Sequence, residues 1–407
     1  MSEILGEREK ERTYIAMEAA KSIDWNRFRE KKLTKLRSFM KDANLDALLL
    51  GGIDNVRYAT DNWVSWSVWI LRGTATFLTK DAGPVLFCDW GSVPRIKIYM
   101  PWIEDVRVQG TERHRTFEKV FEDYGVKKGR IGLDFMPFQD YLNLTKAAPE
   151  IDFVDVGYQI SEIRSVKLPE EIRLLRDSAA VCELSILAAL NENRQGVREY
   201  EVTAAAEYAA RMAGADAYSW PLASFSGVNT APAFTRYPSD KRIRYGDLVI
   251  LGYGLIYQGY NTDITVTTIV GKPTKKQKEI YRATFEAEQE AIRAIKPGID
   301  TRELHKIALS VIKEAGYEKY SYEPYHALGH GVGLNVYEPP FFPAPGRDVP
   351  NAILKPGHVF AIEPAVVIHD ELGVGGVRIG DTVLVTENGC EVLTKVVPQT
   401  HEELMSI

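Results

Sequence analysis

The side chains with the widest chemical range are a glycine-flanked histidine, two strand-borne carboxylates, a late arginine and a cluster of tryptophans. His330 stands between Gly329 and Gly331, with Gly333 just beyond, a backbone that lets a ligand approach closely. An imidazole there can move a proton near neutrality; it can equally be a turn histidine satisfied by hydrogen bonds. Asp263, in NTDITVTT, has three readings: metal ligand, acid/base group, or hydrogen-bond acceptor in a core. Glu363 closes the apolar run VFAIE and is either a functional carboxylate or a strand-end acceptor. Arg378 can clamp a substrate carboxylate with its planar fork, or pair with Asp381. Trp63, Trp66 and Trp69 recur every three residues after Tyr58. They read as a core or interface stripe, or as an aromatic wall for a cationic group, since indole faces attract cations.

The chain that must position these groups has 407 residues, enough for two domains with separate cores. Apolar residues make up 45% and charged residues 26%, a globular balance. A net charge of −6 offers no basic face for nucleic acid or an anionic membrane. Cys88, Cys182 and Cys390 lie far apart and form neither a zinc spacing nor a disulfide framework, which fits a reducing cytoplasm. The opening residues are charged throughout, unlike a signal peptide, and no apolar run reaches bilayer length. The expectation is a cytoplasmic protein with no nucleic-acid and no membrane partner.

Residues 4–22 and 25–43 read as charged amphipathic helices, the second capped by Asp24. Strand-like runs follow (DALLLGG, NVRYATD, TATFLT, PVLFCDW, RIGLDF, FVDVG), separated by turns and helical stretches, which reads as a mixed α/β domain. Pro169 opens a long helix with Glu170 and Glu171 in its first turn. The second half repeats helix, long loop and strand pair. One pair is DLVILGYG with GYNTDITVTTIVG; the other is HVFAIEPAVV with GGVRIGDTVLVTENG. Between them lie helices near 275–295 and 300–315, the latter capped by Asp300. An internally duplicated sheet with helices on one face is the implied architecture.

The segments GDLVILGYGLIYQGYNTDITVTTIVG, HALGHGVGLNVYEPP, LKPGHVFAIEPAVV and GGVRIGDTVLVTENG occur in this order. Together with IRSVKLPEEIRLLRDSA they resemble the signature segments of the creatinase/prolidase (pita-bread) family over roughly residues 30–407. The resemblance implies a homodimer whose subunits carry a creatinase-type N-terminal domain, residues 1–163, and a pita-bread catalytic domain, residues 164–407. Peptidases of this family use carboxylates and one histidine to hold two divalent ions. Carried over position by position, that ligand set is incomplete. Asp263, His330 and Glu363 match ligands, whereas Gly252 and Gly380 stand where two carboxylates belong. Tyr337 replaces a family histidine, and the proton-shuttling histidine of creatinase maps near Phe234 or Thr235. Its second acidic residue maps to Thr265. His326 matches a histidine that lines the substrate pocket. The tryptophan segment resembles the corresponding stretch of lyases acting on an onium substrate.

The resulting expectation is an enzyme of mixed α/β (α+β) class. It is a hydrolase cleaving a C–N bond in a small zwitterionic or cationic molecule, without a dinuclear centre. His330, Glu363 and Asp263 are the expected catalytic set; His326, Tyr337, Arg378, Trp63, Trp66, Trp69 and Tyr253 are expected to bind substrate. No resident cofactor is expected, although the surviving two carboxylates and imidazole could hold one divalent ion. The alternatives are an Xaa-Pro dipeptidase with a single ion, a lyase, and a binding module without chemistry.

Overall fold

The computed structural model describes residues 22–62, 74–231, 237–321, 327–344, 346–371 and 373–394. The expected helix over 4–22 lies outside them, as do Trp63, Trp66, Trp69, Phe234, Thr235 and His326. The described residues form two compact units, one spanning Asp24–Arg164 and one beginning at Ser165.

In the first unit, helix α1 (Trp25–Asp42) begins where Asp24 Oδ1 accepts the Arg27 N–H at 3.1 Å. Its buried residues Phe28, Lys32, Leu36 and Met40 recur every four residues, the stripe that a helix turns toward a core. Strand β1 (Ala47–Leu50) comes next, then helix α2 (Ile53–Thr60), which takes up the NVRYATD run expected as a strand, and strands β2 (Ala75–Thr79) and β3 (Val85–Cys88). Helix α3 (Val93–Tyr99) precedes β4 (Asp105–Val108), and α4 (Arg113–Asp123) precedes β5 (Gly129–Leu133). Helix α5 (Phe138–Ala147), β6 (Ile151–Asp155) and α6 (Gly157–Ser165) complete it. The sheet runs β4-β3-β2-β1-β5-β6, antiparallel through β1–β3 and parallel at both edges. Strands β1 and β3 are buried at every position, as expected of strands covered on two faces.

The second unit opens with α7 (Pro169–Glu192), with proline at its first position where the missing N–H costs nothing. Helix α8 (Glu199–Met212), short strand β7 (Ala217–Tyr218) and β8 (Ala223–Ser226) lead to the long hairpin β9 (Leu248–Tyr257) and β10 (Tyr260–Ile269). Helix α9 (Lys275–Ala294) is closed at its start by a reciprocal cap: Thr274 accepts from the Gln277 N–H and Gln277 from the Thr274 N–H. Asp300 caps α10 (Thr301–Glu314), accepting from the Arg302 N–H at 2.8 Å. Strands β11 (Gly329–Gly331), β12 (Glu338–Phe341), β13 (Val359–Ile362), β14 (Ala365–Ile368), β15 (Gly375–Arg378), β16 (Asp381–Val385) and β17 (Cys390–Val392) follow.

The expected second strand pair is in fact two. β13 pairs with β16 in the sheet β12-β11-β13-β16-β17, while β14 pairs with β15 in a separate ribbon. The switch falls at Glu363-Pro364 on one side and Ile379-Gly380 on the other. A proline has no N–H for a ladder, which ends β13 where it does. Gly380 instead exchanges hydrogen bonds with Thr265 of β10, joining this sheet to the β9/β10 hairpin. Helix α7 packs across β9 and β10, and α9 across the β13–β15 region. The two resulting helix-on-sheet layers share one hydrophobic core.

Asp177 of α7 is a buried carboxyl that burial pushes up to about 7, opposed in part by Arg173. In the unfolded chain it ionises near pH ~4. From about pH 4 to 7 the folded protein holds the extra proton, so this residue's contribution to stability falls as pH rises through that window. Asp177→Asn removes that loss. It is expected to raise the melting temperature at about pH 8 by a few degrees, about 1–2 kcal/mol after solvent screening, with no gain near pH 4. Thermal denaturation at both pH values tests this, and a variant less stable than wild type at the higher pH contradicts it.

Candidate metal centre

Asp263 owes its place to register. It lies in the middle of β10 opposite Gly254 of β9, and opposite residues on an antiparallel ladder share a face. Thr265 and Gly252 share that same face; Ile264 and Tyr253 take the other. Thr382 of β16 locks the Asp263 backbone, donating to its carbonyl oxygen at 2.6 Å and accepting from its N–H at 3.2 Å. His330 is the central residue of β11, between Phe341 of β12 and Ala361 of β13. Its flanking glycines are a packing requirement: a Cβ on Gly329 would run into the Ala361 carbonyl oxygen, and one on Gly331 into that of Pro339. Glu363 follows β13 directly, and its N–H donates to the Leu328 carbonyl at 2.9 Å.

These three elements bring their side chains together. His330 Nε2 lies 3.5 Å from Asp263 Oδ2 and 3.3 Å from Glu363 Oε1. One ligand atom from each of the three lies within 4.8 Å of the others, and all three residues are buried. Arg378, at the end of β15, places Nη2 2.5 Å from the same Glu363 oxygen. Thr267 holds the arginine's backbone, donating to its carbonyl at 2.6 Å and accepting from its N–H at 3.0 Å.

The electrostatics follow from burial. Burial pushes the Asp263 carboxyl up, the nearby Glu363 charge adds to this, and His330 opposes both, leaving it at about 6. Burial alone would lower the His330 imidazole, but the hydrogen bonds and charges of Asp263 and Glu363 outweigh it and hold it at about 10. As arranged, the imidazole carries its proton between two carboxylates. Two carboxylates and one imidazole in a buried cluster form a donor set that suits one divalent ion with positions left for water and substrate. The ion and the proton compete for the same nitrogen lone pair. Gly252 shares the face of Asp263, and Gly380 exchanges backbone hydrogen bonds with Thr265 on that face, so neither position adds a side-chain donor.

The expected substrate-binding residues divide. Tyr337 stands at the cluster, its ring 4.6 Å from that of His330 and tilted by 44°. Burial and the Glu363 charge push its phenol up, so it keeps its proton. Tyr253 is elsewhere: the two-residue alternation of β9 turns it away from Asp263, and it is fully buried with its hydroxyl 2.9 Å from Ser224 Oγ. Tyr257 and Tyr260 share that opposite face. Arg378 is 3% exposed and pairs with Glu363, while Asp381 accepts from Thr394. The sequence reading missed Thr382 and Lys167. Lys167 pairs with Glu338 at 2.7 Å, both almost fully buried, and Glu338 fixes the turn that carries Tyr337. Glu338 was visible as part of the YEPP segment, but nothing local links it to a lysine 171 residues earlier.

The profile of metallopeptidase family M24 matches residues 173–387, and that of the creatinase/prolidase N-terminal domain matches residues 32–166. The chain is 34% identical over 376 residues to an Xaa-Pro dipeptidase of Pyrococcus horikoshii, covering 92% of this chain and 98% of that one. Among solved structures it is similar to the prolidase from Pyrococcus horikoshii OT3, with a TM-score of 0.76, 33% identity, and coverage of 90% and 98%. It is also similar to the Xaa-Pro dipeptidase from Bacillus anthracis, with a TM-score of 0.78, 28% identity, and coverage of 90% and 98%.

The expectation of no resident cofactor is overturned. A match to a metallopeptidase family coincides with a buried three-residue ligand cluster, and two buried like charges call for a cation. The centre also leaves no slack at Gly380, where an added Cβ would lie 2.8 Å from Glu363 Cβ and 3.3 Å from the Ile362 carbonyl oxygen. Gly380→Ala is therefore expected to displace Glu363 and weaken binding of one manganese ion about tenfold or more, as read by calorimetry. Unchanged affinity would show that Glu363 is not held by this contact.

Proposed function

We propose, from the premise that this chain belongs to metallopeptidase family M24, that it is an Xaa-Pro dipeptidase working with a single divalent ion. That it is a hydrolase of this family follows from the matches; the substrate and the single ion are our reading. The observation that carries it is the buried convergence of Asp263, His330 and Glu363. The names of the relatives support the dipeptidase over hydrolysis of a free cation. The dipeptidase stood as an alternative to the main expectation, and the relatives support it better than that main reading.

Asp263, His330 and Glu363 would hold the ion. When bound, it supplies a Lewis acid for the scissile carbonyl and a water acidic enough to attack at neutral pH. Asp263 presents its carboxylate in a fixed direction because Thr382 grips its backbone on both sides. Glu363 accepts the proton of the attacking water and returns it to the proline nitrogen as the bond breaks. Arg378, 2.5 Å away, orients that carboxylate and offsets its charge, so that two acidic groups can share a buried site. The near-complete burial of all four side chains keeps bulk water from screening these charges.

The test is protein purified without chelator and loaded with manganese or cobalt. One bound ion per chain and release of proline from Ala-Pro, but not alanine from Ala-Ala, is the expected result. His330→Ala should weaken ion binding about 10–100-fold, whereas Glu363→Gln should cut kcat roughly 10²–10⁴-fold with the fold intact. No proline release at saturating ion, or two ions per chain, would overturn the reading.

A further inference from the structure

Two of the threonine hydroxyls along β10 are spent within the protein. Thr262 Oγ1 lies 3.1 Å from Ser178 Oγ, and Thr267 Oγ1 donates to the Arg378 carbonyl oxygen at 2.6 Å. Thr265, between them, is 2% exposed, and its hydroxyl makes no hydrogen bond to any described residue. A hydroxyl taken out of water without a partner lowers stability, and valine fills the same place on a strand without that penalty. Packing alone therefore does not account for a threonine here.

The ladder puts that hydroxyl beside the cluster. Side chains two apart on a strand share a face, so Thr265 projects on the same side as Asp263. Its neighbours on either side are Gly252, opposite it on β9, and Gly380, which exchanges backbone hydrogen bonds with it. Neither has a side chain to pair with the hydroxyl. Gly380 also lies against Glu363, since a Cβ there would be 2.8 Å from Glu363 Cβ. Thr265 thus stands in the angle between two ligands of the proposed ion, Asp263 along its own strand and Glu363 across Gly380. A water that attacks a peptide bond there has two protons to place. Glu363 takes one; the other needs an acceptor too weak a base to remove it, and a hydroxyl oxygen is such an acceptor.

We propose that Thr265 is a catalytic residue whose hydroxyl oxygen accepts a hydrogen bond from the attacking water and holds it in line with the scissile carbonyl. One water proton passes to Glu363. The water oxygen bonds to the carbonyl carbon, and the carbonyl π electrons move to the carbonyl oxygen. They return as the C–N bond breaks, its electron pair going to the proline nitrogen, which takes the proton back from Glu363. The second water proton stays on the attacking oxygen, against Thr265, until the new carboxyl group gives it to the departing amine. Thr265 neither gains nor loses a proton. This rests on the dipeptidase reading above and extends it to the nucleophile.

The experiment compares Thr265→Val and Thr265→Ser with wild type, each loaded with manganese, on Ala-Pro. Thr265→Val keeps the shape and removes the hydroxyl. It is expected to lose about 10–100-fold in kcat, with KM within about twofold. Manganese affinity and stoichiometry by calorimetry should be unchanged, and the melting temperature the same or higher, because no unpaired hydroxyl stays buried. Thr265→Ser keeps the oxygen and should hold kcat within about threefold of wild type. Thr265→Val as fast as wild type would overturn the proposal, as would Thr265→Ser no faster than Thr265→Val. Weaker manganese binding by Thr265→Val would overturn it by making the hydroxyl a ligand of the ion. A rise in KM alone would do so by making it a ground-state contact. Wild type that releases no proline brings down the dipeptidase reading and this inference together; active wild type matched by Thr265→Val brings down this inference alone.

Discussion

Two carboxylates share one buried space in this protein, and much of the catalytic unit is arranged to make that tolerable. Asp263 and Glu363 both approach His330 Nε2 within 3.5 Å, in a setting where water cannot dilute their repulsion. Unrelieved, such a pair would take up protons or push the strands apart. Three cationic partners answer it in turn: the Arg378 guanidinium, the His330 ring when protonated, and a divalent ion when one is bound. The arginine differs from the other two because its charge is permanent, whereas the imidazole can lose its proton and the ion can dissociate. It comes from β15, which bonds through Gly376 to Thr230 and through Arg378 to Thr267, so its position depends on two further stretches of chain. One of the three is permanent, and the other two come and go with a proton or an ion.

The strand breaks follow from the same demand. A continuous hairpin from β13 to β16 would turn Glu363 into one more ladder residue with its side chain set by alternation. Pro364 stops that ladder, and the chain passes to a different ribbon one residue later. Gly380 makes the matching switch on the return strand and closes onto Thr265. Glu363 and Arg378 thereby face each other across a seam between sheets, where a regular pairing would not have put them.

Much of this architecture can be read from the chain, for reasons that differ by element. Helix caps are local, so Asp24, Pro169 and Asp300 mark their helices correctly. Asp263, His330 and Glu363 are legible because each sits in a segment distinctive enough to be matched. Tyr253 shows where such reading stops. It is one residue from Gly254, the partner of Asp263, yet a period of two puts it on the opposite face against α7 and β8. Proximity in sequence to a ligand strand is no guide to which side a residue takes. The Lys167–Glu338 and Thr382–Asp263 contacts were invisible because they exist only after distant elements meet. Arg378 was legible as a candidate for binding, but its pairing with Glu363 was not, because that contact exists only across the bend between β13 and β15.

The tight fit at Gly380 bears on how this site can change over generations. A carboxylate there is the one substitution that would most directly add a ligand, and a single codon change can convert glycine to an acidic residue. Yet any side chain meets Glu363 at its Cβ, and so damages a ligand already present before supplying another. The route toward a richer centre therefore passes through a valley, and it opens only if the turn at Glu363-Pro364 shifts first. Sequences on the two sides of that valley would drift separately, even with the remaining ligands identical. A mutational library confined to position 380 would sample only the descent.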